Sequence, residues 1–268
     1  MIHFFRKIRQ HLISQNKISK YVAYALGEIF LVMIGILLAL YFNNLNTENE
    51  DRKKEEWYLI NIVEDIEYQK VYLKFLIDYY KESINIEKSI IKDYSIKNSF
   101  SEVDSLDSKL NYLMTSYYFP NTNGTYKELV SSGQLGLIKN KKLSIDIINY
   151  YISCETNYDD FKKEINHIFY KEIYPVLTAY SQIEVDSESS EANDIGLNKM
   201  NDELATYLKS KLEKPESKFR LLNAIKTKLL IHQNFIEITK EVLADSDSLI
   251  IKIDKDLGLT SDMVNNYD

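Results

Sequence analysis

An uninterrupted apolar segment near the N-terminus is the feature that most limits what this chain can fold into. Residues 22–42 read VAYALGEIFLVMIGILLALYF, and Glu28 is the only charged residue among these 21. A helix rises about 1.5 Å per residue, so the segment measures roughly 30 Å, the thickness of the hydrocarbon layer of a bilayer. We therefore predict a transmembrane helix over residues 21–43.

The charges on either side of this segment predict its orientation. Residues 1–20 carry five basic residues and no acidic one, whereas the residues after the segment mix both signs. Cytoplasmic flanks are enriched in Lys and Arg. The apolar run is also too long for a cleaved signal peptide, and no small-x-small site follows it. We predict an uncleaved single-pass anchor of the inner (cytoplasmic) membrane, with a cytoplasmic N-terminus and residues 44–268 in the periplasm.

The basic N-terminal segment has an amphipathic pattern. Phe5, Ile8 and Leu12 fall on one helical face, and the basic residues lie elsewhere. A cationic helix of this kind lies in the headgroup layer and is attracted to anionic lipid. Residues 1–20 are therefore predicted to form a cytoplasmic segment in contact with inner-membrane lipid. A flexible basic tail is the alternative.

The membrane helix also has a face that predicts association. Ala23, Gly27, Gly35 and Ala39 lie on a repeat of four, and such small residues let a second helix approach closely. An ionised, unpaired Glu28 would cost up to ~3 kcal/mol in this segment. We predict that this face, with Glu28 hydrogen-bonded across it, binds a protein partner or a second copy of the chain. An ion-coupling role for Glu28 is the alternative.

Beyond residue 43, composition and periodicity predict an all-α fold. The whole chain contains only 7 Gly and 3 Pro, too few for many short strands and tight turns. Apolar residues recur every three or four positions, which is the pattern of helices with one buried face. The predicted fold is a transmembrane helix followed by an extramembrane, multi-helix bundle of long helices over residues 44–260.

The first bundle helix is predicted to start near residue 46, after a short break at Asn43-Asn44 and with a Thr47/Glu50 capping box. It is predicted to run to about residue 94. Its buried seam consists of Leu59, Ile62, Ile66, Gln69, Leu73, Leu76 and Tyr80. A second row, consisting of Ile60, Val63 and Phe75, is predicted to widen that buried face.

The final helix is predicted from Pro215 to Leu257, with Gly258 as its C-cap. Two rows of buried positions run along it. The first is Leu222, Ile225, Leu229, His232, Ile236, Thr239, Leu243, Ser246 and Ile250, and the second is Leu221, Ala224, Lys228, Ile231, Phe235, Ile238 and Val242. Two rows indicate several neighbours, and hence an intramolecular bundle rather than a coiled-coil dimer.

Local signals predict shorter elements between these two helices. They are a helix over residues 105–118, a Thr125/Glu128 capping box, Gly133 as a C-cap, Asn140 as an N-cap, a stop or kink at Pro175, and a helix over residues 201–214. Residues 181–198 are acidic, rich in serine and predicted to be a mobile loop. Residues 261–268 are predicted to be a tail.

Charge and motif content argue against an enzyme and against a nucleic-acid partner. The chain carries −7 in total, which leaves −11 for residues 44–268, and such a domain repels a phosphate backbone. Glu164 and His167 form an E-x-x-H spacing, but a di-iron bundle needs that motif twice and the sequence has it once. No other catalytic motif is present. We predict no catalytic, metal-binding or cofactor-binding residues.

Two polar residues interrupt the apolar seams of the long helices. Gln69 lies in the first seam and His232 in the last. A buried polar group needs a partner, so we predict that these two hydrogen-bond to each other and fix the register of the helices. A ligand pocket or pH-sensitive site at His232 is the alternative.

Two stretches of the sequence resemble a known family. FFRKIRQ at residues 4–10 and KYVAYALGEIFLVMIGILLALYFNN at residues 20–44 resemble the N-terminus of an uncharacterised family of bacterial membrane proteins, a domain of unknown function. TYKELVSSGQLGLIKNKKL at residues 125–143, with Tyr150 and Tyr151, looks like that family's second block. Where the family often has Asn-Trp, this chain has Asn44-Leu45. The resemblance implies a single-pass anchor and a helical domain, and it supplies no activity or site residues.

Three functions are compatible with these features. The first is a non-enzymatic scaffold that is anchored in the membrane and binds a protein partner through its periplasmic bundle. The second is a periplasmic sensor bundle that signals through the membrane helix. The third is an ion-coupled, stator-like subunit that uses Glu28. The two wide helix seams and the absence of catalytic motifs favour the first.

Overall fold

The computed structural model describes residues 18–184 and 200–259, and every regular element within those ranges is helical. The predicted all-α fold is confirmed. The α-helices are α1 (Ile18–Lys97), α2 (Leu106–Tyr112), α3 (Gly124–Ser131), α4 (Lys141–Glu164), α5 (Tyr174–Ala179), α6 (Asp202–Leu212) and α7 (Pro215–Leu257). A 3-10 helix (Gln134–Leu137) lies between α3 and α4, and a π-helix (Ile165–Ile173) joins α4 to α5.

The chain divides into two compact units, the first ending at Trp57 and the second beginning at Tyr58. In the first unit, the N-terminal part of α1 is apolar, with a mean hydropathy of 2.3 over its most apolar window. None of that window is buried inside the protein. Within the described residues, α1 is the one helix long and apolar enough to span a membrane.

The predicted break at Asn43-Asn44 is wrong, because α1 is continuous through it. Thr47 does not cap a new helix. Its hydroxyl donates to the carbonyl oxygen of Asn43 at 3.1 Å, four residues earlier along the same helix. A threonine can make this bond inside a helix, so a Thr-x-x-Glu spacing does not by itself mark a helix start.

In the second unit, one hydrophobic core extends from Tyr58 to Ile253. The predicted seam of α1 is confirmed, since all seven of its members are buried. The predicted second row is wrong at two positions: Ile60 is 47% exposed and Phe75 is 44% exposed. The seam of α1 contacts α4 through Gln69 and Tyr150 and contacts α7 through Tyr80 and Phe235. Phe75 of the second row packs instead against Tyr117, which lies in the non-helical segment after α2.

Helix α7 is covered more completely than α1. Both of its predicted rows are buried or half-buried along their whole length. The helix contacts α4, α5, α6 and the π-helix. A helix with that many neighbours buries a wide face, which is what the two-row pattern predicts.

Three of the predicted helix ends are confirmed. Gly133 and Gly258 have φ angles of +69° and +73°, in the left-handed region that suits glycine after a helix. The Asn140 side chain accepts a hydrogen bond from the Leu143 N–H at 3.2 Å and caps α4.

The predicted capping box of α3 is replaced by a tertiary contact. Helix α3 begins at Gly124, and the N–H of Thr125 donates to the Asp65 carboxylate of α1 at 3.0 Å. A carboxylate at a helix N-terminus satisfies an unpaired N–H and interacts favourably with the helix dipole. This cap comes from a residue distant in sequence, so no local pattern predicts it.

The helical segment continues through Pro175, but the residues before it form a π-helix rather than an α-helix. Pro175 lies in the first turn of α5, immediately after the nine-residue π-helix. Proline lacks an N–H, and its ring would clash with the carbonyl four residues earlier in a regular α-helix. The wider π-turn avoids that clash, so the chain continues as a helix of a different width.

Three predictions fall partly or wholly outside the described residues. Of the basic amphipathic segment, residues 1–17 lie outside. Of the predicted acidic loop, residues 185–199 lie outside, and so does the predicted tail at residues 261–268.

Candidate functional site

The predicted pair of Gln69 and His232 is not formed. Both side chains are buried, with exposed fractions of 1% and 3%. Gln69 makes its contacts with α4 and with the segment before α3, while His232 contacts Glu87 of α1. Glu87 is five helical turns beyond Gln69 on α1, so the two polar residues occupy different layers of the core.

Gln69 is the centre of a buried hydrogen-bond network. Its amide nitrogen lies 3.1 Å from the Tyr150 hydroxyl and 3.3 Å from the Cys154 sulfur, and its carbonyl oxygen accepts from the Thr122 N–H at 2.9 Å. The Tyr150 hydroxyl also lies 2.9 Å from the Ser246 hydroxyl of α7. The network therefore connects α1, α4 and α7 through Gln69, Tyr150 and Ser246.

A second buried polar cluster contains three titratable side chains. Glu87 of α1 is 0% exposed, and Lys228 and His232 of α7 are 1% and 3% exposed. Oε1 of Glu87 and Nδ1 of His232 are 2.8 Å apart. The two groups are close but are not aligned as a hydrogen bond, and neither oxygen of Glu87 has another donor. We call these three residues the buried triad.

The charged group of Lys228 makes more hydrogen bonds than the polar groups of Glu87 and His232 do. Its ammonium nitrogen donates to the Thr115 carbonyl oxygen at 3.2 Å and to the Ser116 hydroxyl at 3.3 Å. The same nitrogen lies 3.8 Å from the centre of the Phe169 ring, a cation–π contact with the π-helix. The lysine therefore connects α7 with the segment after α2 and with the π-helix.

Burial shifts the pKa values of all three groups toward their neutral forms. Burial raises the pKa of Glu87 to about 8, although the Lys228 charge opposes this shift. Burial lowers the pKa of Lys228 to about 7, although Glu87 opposes this shift. The pKa of His232 is lowered well below its usual value by burial and by the Lys228 charge. His232 is therefore a neutral imidazole near neutral pH, and Glu87 and Lys228 are the groups that change charge there.

A small cavity adjoins the triad. Its lining includes Lys228 and His232 together with Ile165, Phe169 and Ile173 of the π-helix. Its volume is about 10 Å³, close to the minimum that holds one water molecule. A cavity of this size does not admit an organic ligand.

Lys228 and His232 lie in the predicted buried rows of α7, whereas Glu87 lies beyond the last residue of the predicted seam of α1. A signal for it was available. The seam of α1 alternates steps of three and four residues, and continuing that alternation from Tyr80 leads to Ser83, Glu87 and Ile90, all of which are fully buried. Extending the seam past Tyr80 therefore predicts that Glu87, one member of the triad, is buried.

The E-x-x-H spacing has no metal-site geometry. His167 is exposed, and its Nδ1 lies 3.2 Å from the Lys171 ammonium nitrogen. Across residues 18–184 and 200–259, no three His, Cys, Asp or Glu side chains come together as a metal-binding group.

The exposed part of the second row of α1 belongs to a largely apolar helical face. Ile60, Tyr68, Val71, Tyr72 and Phe75 lie at successive spacings of eight, three, one and three residues, with Glu64 between the first two, and we call these five the aromatic stripe. Tyr68 is 75% exposed and Val71 is 69% exposed. These positions share one helical face about 22 Å long. Single exposed apolar residues are normal, but a continuous apolar face marks an interaction surface.

The aromatic stripe leads into a groove beside α2. The Phe75 ring packs edge-on against Tyr117, with ring centres 5.0 Å apart. Asp78, Tyr79, Tyr112 and Thr115 complete the lining of this groove, whose volume is about 350 Å³. The stripe and the groove form one surface, rich in tyrosine.

On the apolar N-terminal part of α1, the predicted small-residue face is open. Apart from the adjacent residues of its own helix, no described part of the chain comes within 4 Å of the position that a Cβ would occupy on Gly27 or on Gly35, and Ala23 and Ala39 are exposed. Glu28 lies beside them and is half-buried. Because the structure contains one chain, association through this face stays a prediction.

The comparison with known proteins identifies a family. The family of unknown function DUF6090 matches residues 28–175. The match runs from Glu28 to Pro175, includes the second block at residues 125–143, and ends before α7. No curated protein and no solved structure matches the chain. Because the matched region covers more than half of the sequence, the chain belongs to DUF6090, a family of unknown function, as its resemblance to an uncharacterised membrane-protein family predicts.

Proposed function

We propose that this chain is a membrane-anchored, non-enzymatic interaction protein whose helical domain binds a protein partner. The observation that carries the proposal is the aromatic stripe on α1. Its five apolar side chains share one helical face, on which Tyr68 and Val71 are 75% and 69% exposed and Phe75 is partly covered by Tyr117. Such a face loses its contact with water only when another molecule packs against it.

The composition of the stripe fits a protein partner better than a small ligand. Tyrosine is enriched at the centres of protein interfaces, because it combines a large apolar ring with a hydroxyl that tolerates water. Tyr68 and Tyr72 supply two such side chains, and the adjoining groove supplies more. A small molecule would bind in a concave pocket, whereas the stripe is a ridge on a helix.

Site-specific photo-crosslinking in native membranes tests this proposal. A photoreactive amino acid at Val71 is expected to form an adduct with a partner, and the same amino acid at the exposed Lys240 of α7 is not. The change Tyr68→Ala should weaken the interaction by about 2 kcal/mol, roughly thirty-fold, and reduce the adduct accordingly.

Tyr207 of α6 provides a matched control, because it is a 59% exposed tyrosine outside the stripe. Tyr207→Ala should leave the Val71 adduct unchanged. The proposal fails if the protein is recovered only as an uncrosslinked monomer. It also fails if Tyr68→Ala and Tyr207→Ala reduce the adduct equally.

We further propose that the anchor crosses the inner membrane once, with the N-terminus in the cytoplasm and the helical domain in the periplasm. The five basic residues before the apolar segment support this orientation, because positively charged flanks remain in the cytoplasm. The exposed apolar surface of the first part of α1 supports its insertion into lipid.

Thiol labelling tests the orientation with little background, because the single native cysteine, Cys154, is buried. A membrane-impermeant maleimide is expected to label a Lys240→Cys variant while the inner membrane is intact. A Gln10→Cys variant should be labelled only after the membrane is opened. The reverse pattern would show that the domain is cytoplasmic.

A further inference from the structure

The buried triad is an unusual combination for a protein core. Three titratable side chains from two helices are almost completely removed from water, and two of them are in direct contact. An ionised carboxylate in such a place requires hydrogen-bond donors or a paired charge. Neither oxygen of Glu87 receives a hydrogen bond, so the geometry favours the protonated carboxyl group.

We propose that Glu87, Lys228 and His232 form a proton-binding site that takes up and releases one proton near neutral pH while the domain stays folded. This inference goes beyond the proposed interaction function and does not depend on it. The ligand is a proton, since the adjoining cavity has room for about one water molecule and for nothing larger.

Glu87 and Lys228 together can carry zero, one or two titratable protons. With one proton, the two groups are neutral overall, either as carboxylic acid and amine or as carboxylate and ammonium. Losing that proton to solvent leaves a carboxylate beside a neutral amine, with a net charge of −1. Gaining a second proton leaves a carboxylic acid beside an ammonium, with a net charge of +1.

Other titratable groups face the site from α1, α2, the segment after α2 and the end of α4. Burial raises the pKa of the Tyr79, Tyr80 and Tyr112 hydroxyls, so these three remain neutral. Tyr117 and Glu164 line the adjoining cavity. Glu164 is only half-buried and keeps access to water, unlike Glu87.

A change of charge in the triad acts on the π-helix directly. The Lys228 ammonium faces the Phe169 ring, and this attraction exists only while the lysine is protonated. Phe169 lies in the middle of the π-helix, a rare geometry that often occurs at functional sites. A sensor function of this domain would therefore have the proton as its ligand and the π-helix as the element that responds to it.

Infrared titration of the full-length protein in lipid nanodiscs tests the proposal. A protonated carboxyl group has a carbonyl band that a carboxylate lacks. We expect one such band to persist far above the ordinary glutamate range and to disappear near pH 8. Glu87→Gln should remove the band. Glu164→Gln, a matched change at the same cavity, should retain it.

Lys228→Met gives an independent result with a defined sign. Removing the positive charge removes a favourable interaction with the Glu87 carboxylate, so the midpoint of the band should move up by about one pH unit or more. This variant carries the test if Glu87→Gln fails to fold. The proposal is overturned if no carboxyl band survives above the ordinary range, if Glu87→Gln retains the band, or if Lys228→Met leaves the midpoint unchanged.

Discussion

Replacing Phe235 with Ala is expected to reduce the free energy of unfolding of the helical domain by about 3 to 5 kcal/mol. Phe235 of α7 stacks on Phe161 of α4, with ring centres 3.6 Å apart and ring planes 9° from parallel. It also contacts Tyr80 of α1, with ring centres 5.7 Å apart. Truncation therefore opens a cavity where α1, α4 and α7 meet.

The size of this effect follows from the surroundings of the ring. Phe161 is fully buried and Phe235 is 5% exposed, so both lose transfer free energy and packing contacts when one is truncated. Small domains are stable by only about 5 to 15 kcal/mol, so the loss is a large share of the total. Denaturant unfolding followed by circular dichroism measures it.

Phe219 is the matched control on the same helix, because it is 67% exposed. Phe219→Ala should change the free energy of unfolding by no more than about 0.5 kcal/mol. Equal effects of the two truncations would contradict the arrangement of α7 in the core.

Replacing Gln69 with Leu is expected to cost about 3 kcal/mol, although leucine is the more apolar residue. The substitution removes the acceptor for the Thr122 N–H and a partner of the Tyr150 hydroxyl. A buried polar group left without a partner costs about 1 to 3 kcal/mol. Gln233 of α7 is exposed, and Gln233→Leu should have little effect.

A double-mutant cycle shows whether the cost comes from the network. Tyr150→Phe removes the hydroxyl that Gln69→Leu would leave with one partner fewer. The double variant should therefore lose at least about 0.5 kcal/mol less than the sum of the two single variants. Strict additivity, or a Gln69→Leu variant as stable as the parent, would show that the buried amide does not hold the helices together.

Much of the fold can be predicted from the sequence, because its signals are local. The apolar segment at residues 22–42 has the length and composition of a membrane-spanning helix whatever follows it. The three- and four-residue spacing of Leu59, Ile62 and Ile66 defines one helical face, and that face is buried. Gly258 and Asn140 mark helix ends through their own backbone and side-chain chemistry.

Other features could not be predicted, because they depend on residues far apart in sequence. Asp65 caps a helix some 60 residues later, and a local Thr-x-x-Glu pattern gives no hint of that. Gln69 and His232 are both buried, as the seams indicate. Which residues they contact depends on how α1 is aligned lengthwise with α4 and α7. Spacing alone cannot show that Glu87, rather than Gln69, lies opposite His232.

The sequence by itself determined the apolar helix that is long enough to span a membrane, the all-α class and the core-facing seam of each long helix, because hydrophobic periodicity and chain length act within one helix at a time. Only the tertiary structure decided which apolar row stays uncovered. Ile60 and Phe75 have the spacing of buried residues, but they are 47% and 44% exposed, because burial depends on which elements pack against that side of α1. The tertiary structure likewise decided that three titratable residues share one core site. Burial and charge pairing depend on distances between helices, and those distances are set by packing rather than by the pattern along any one of them.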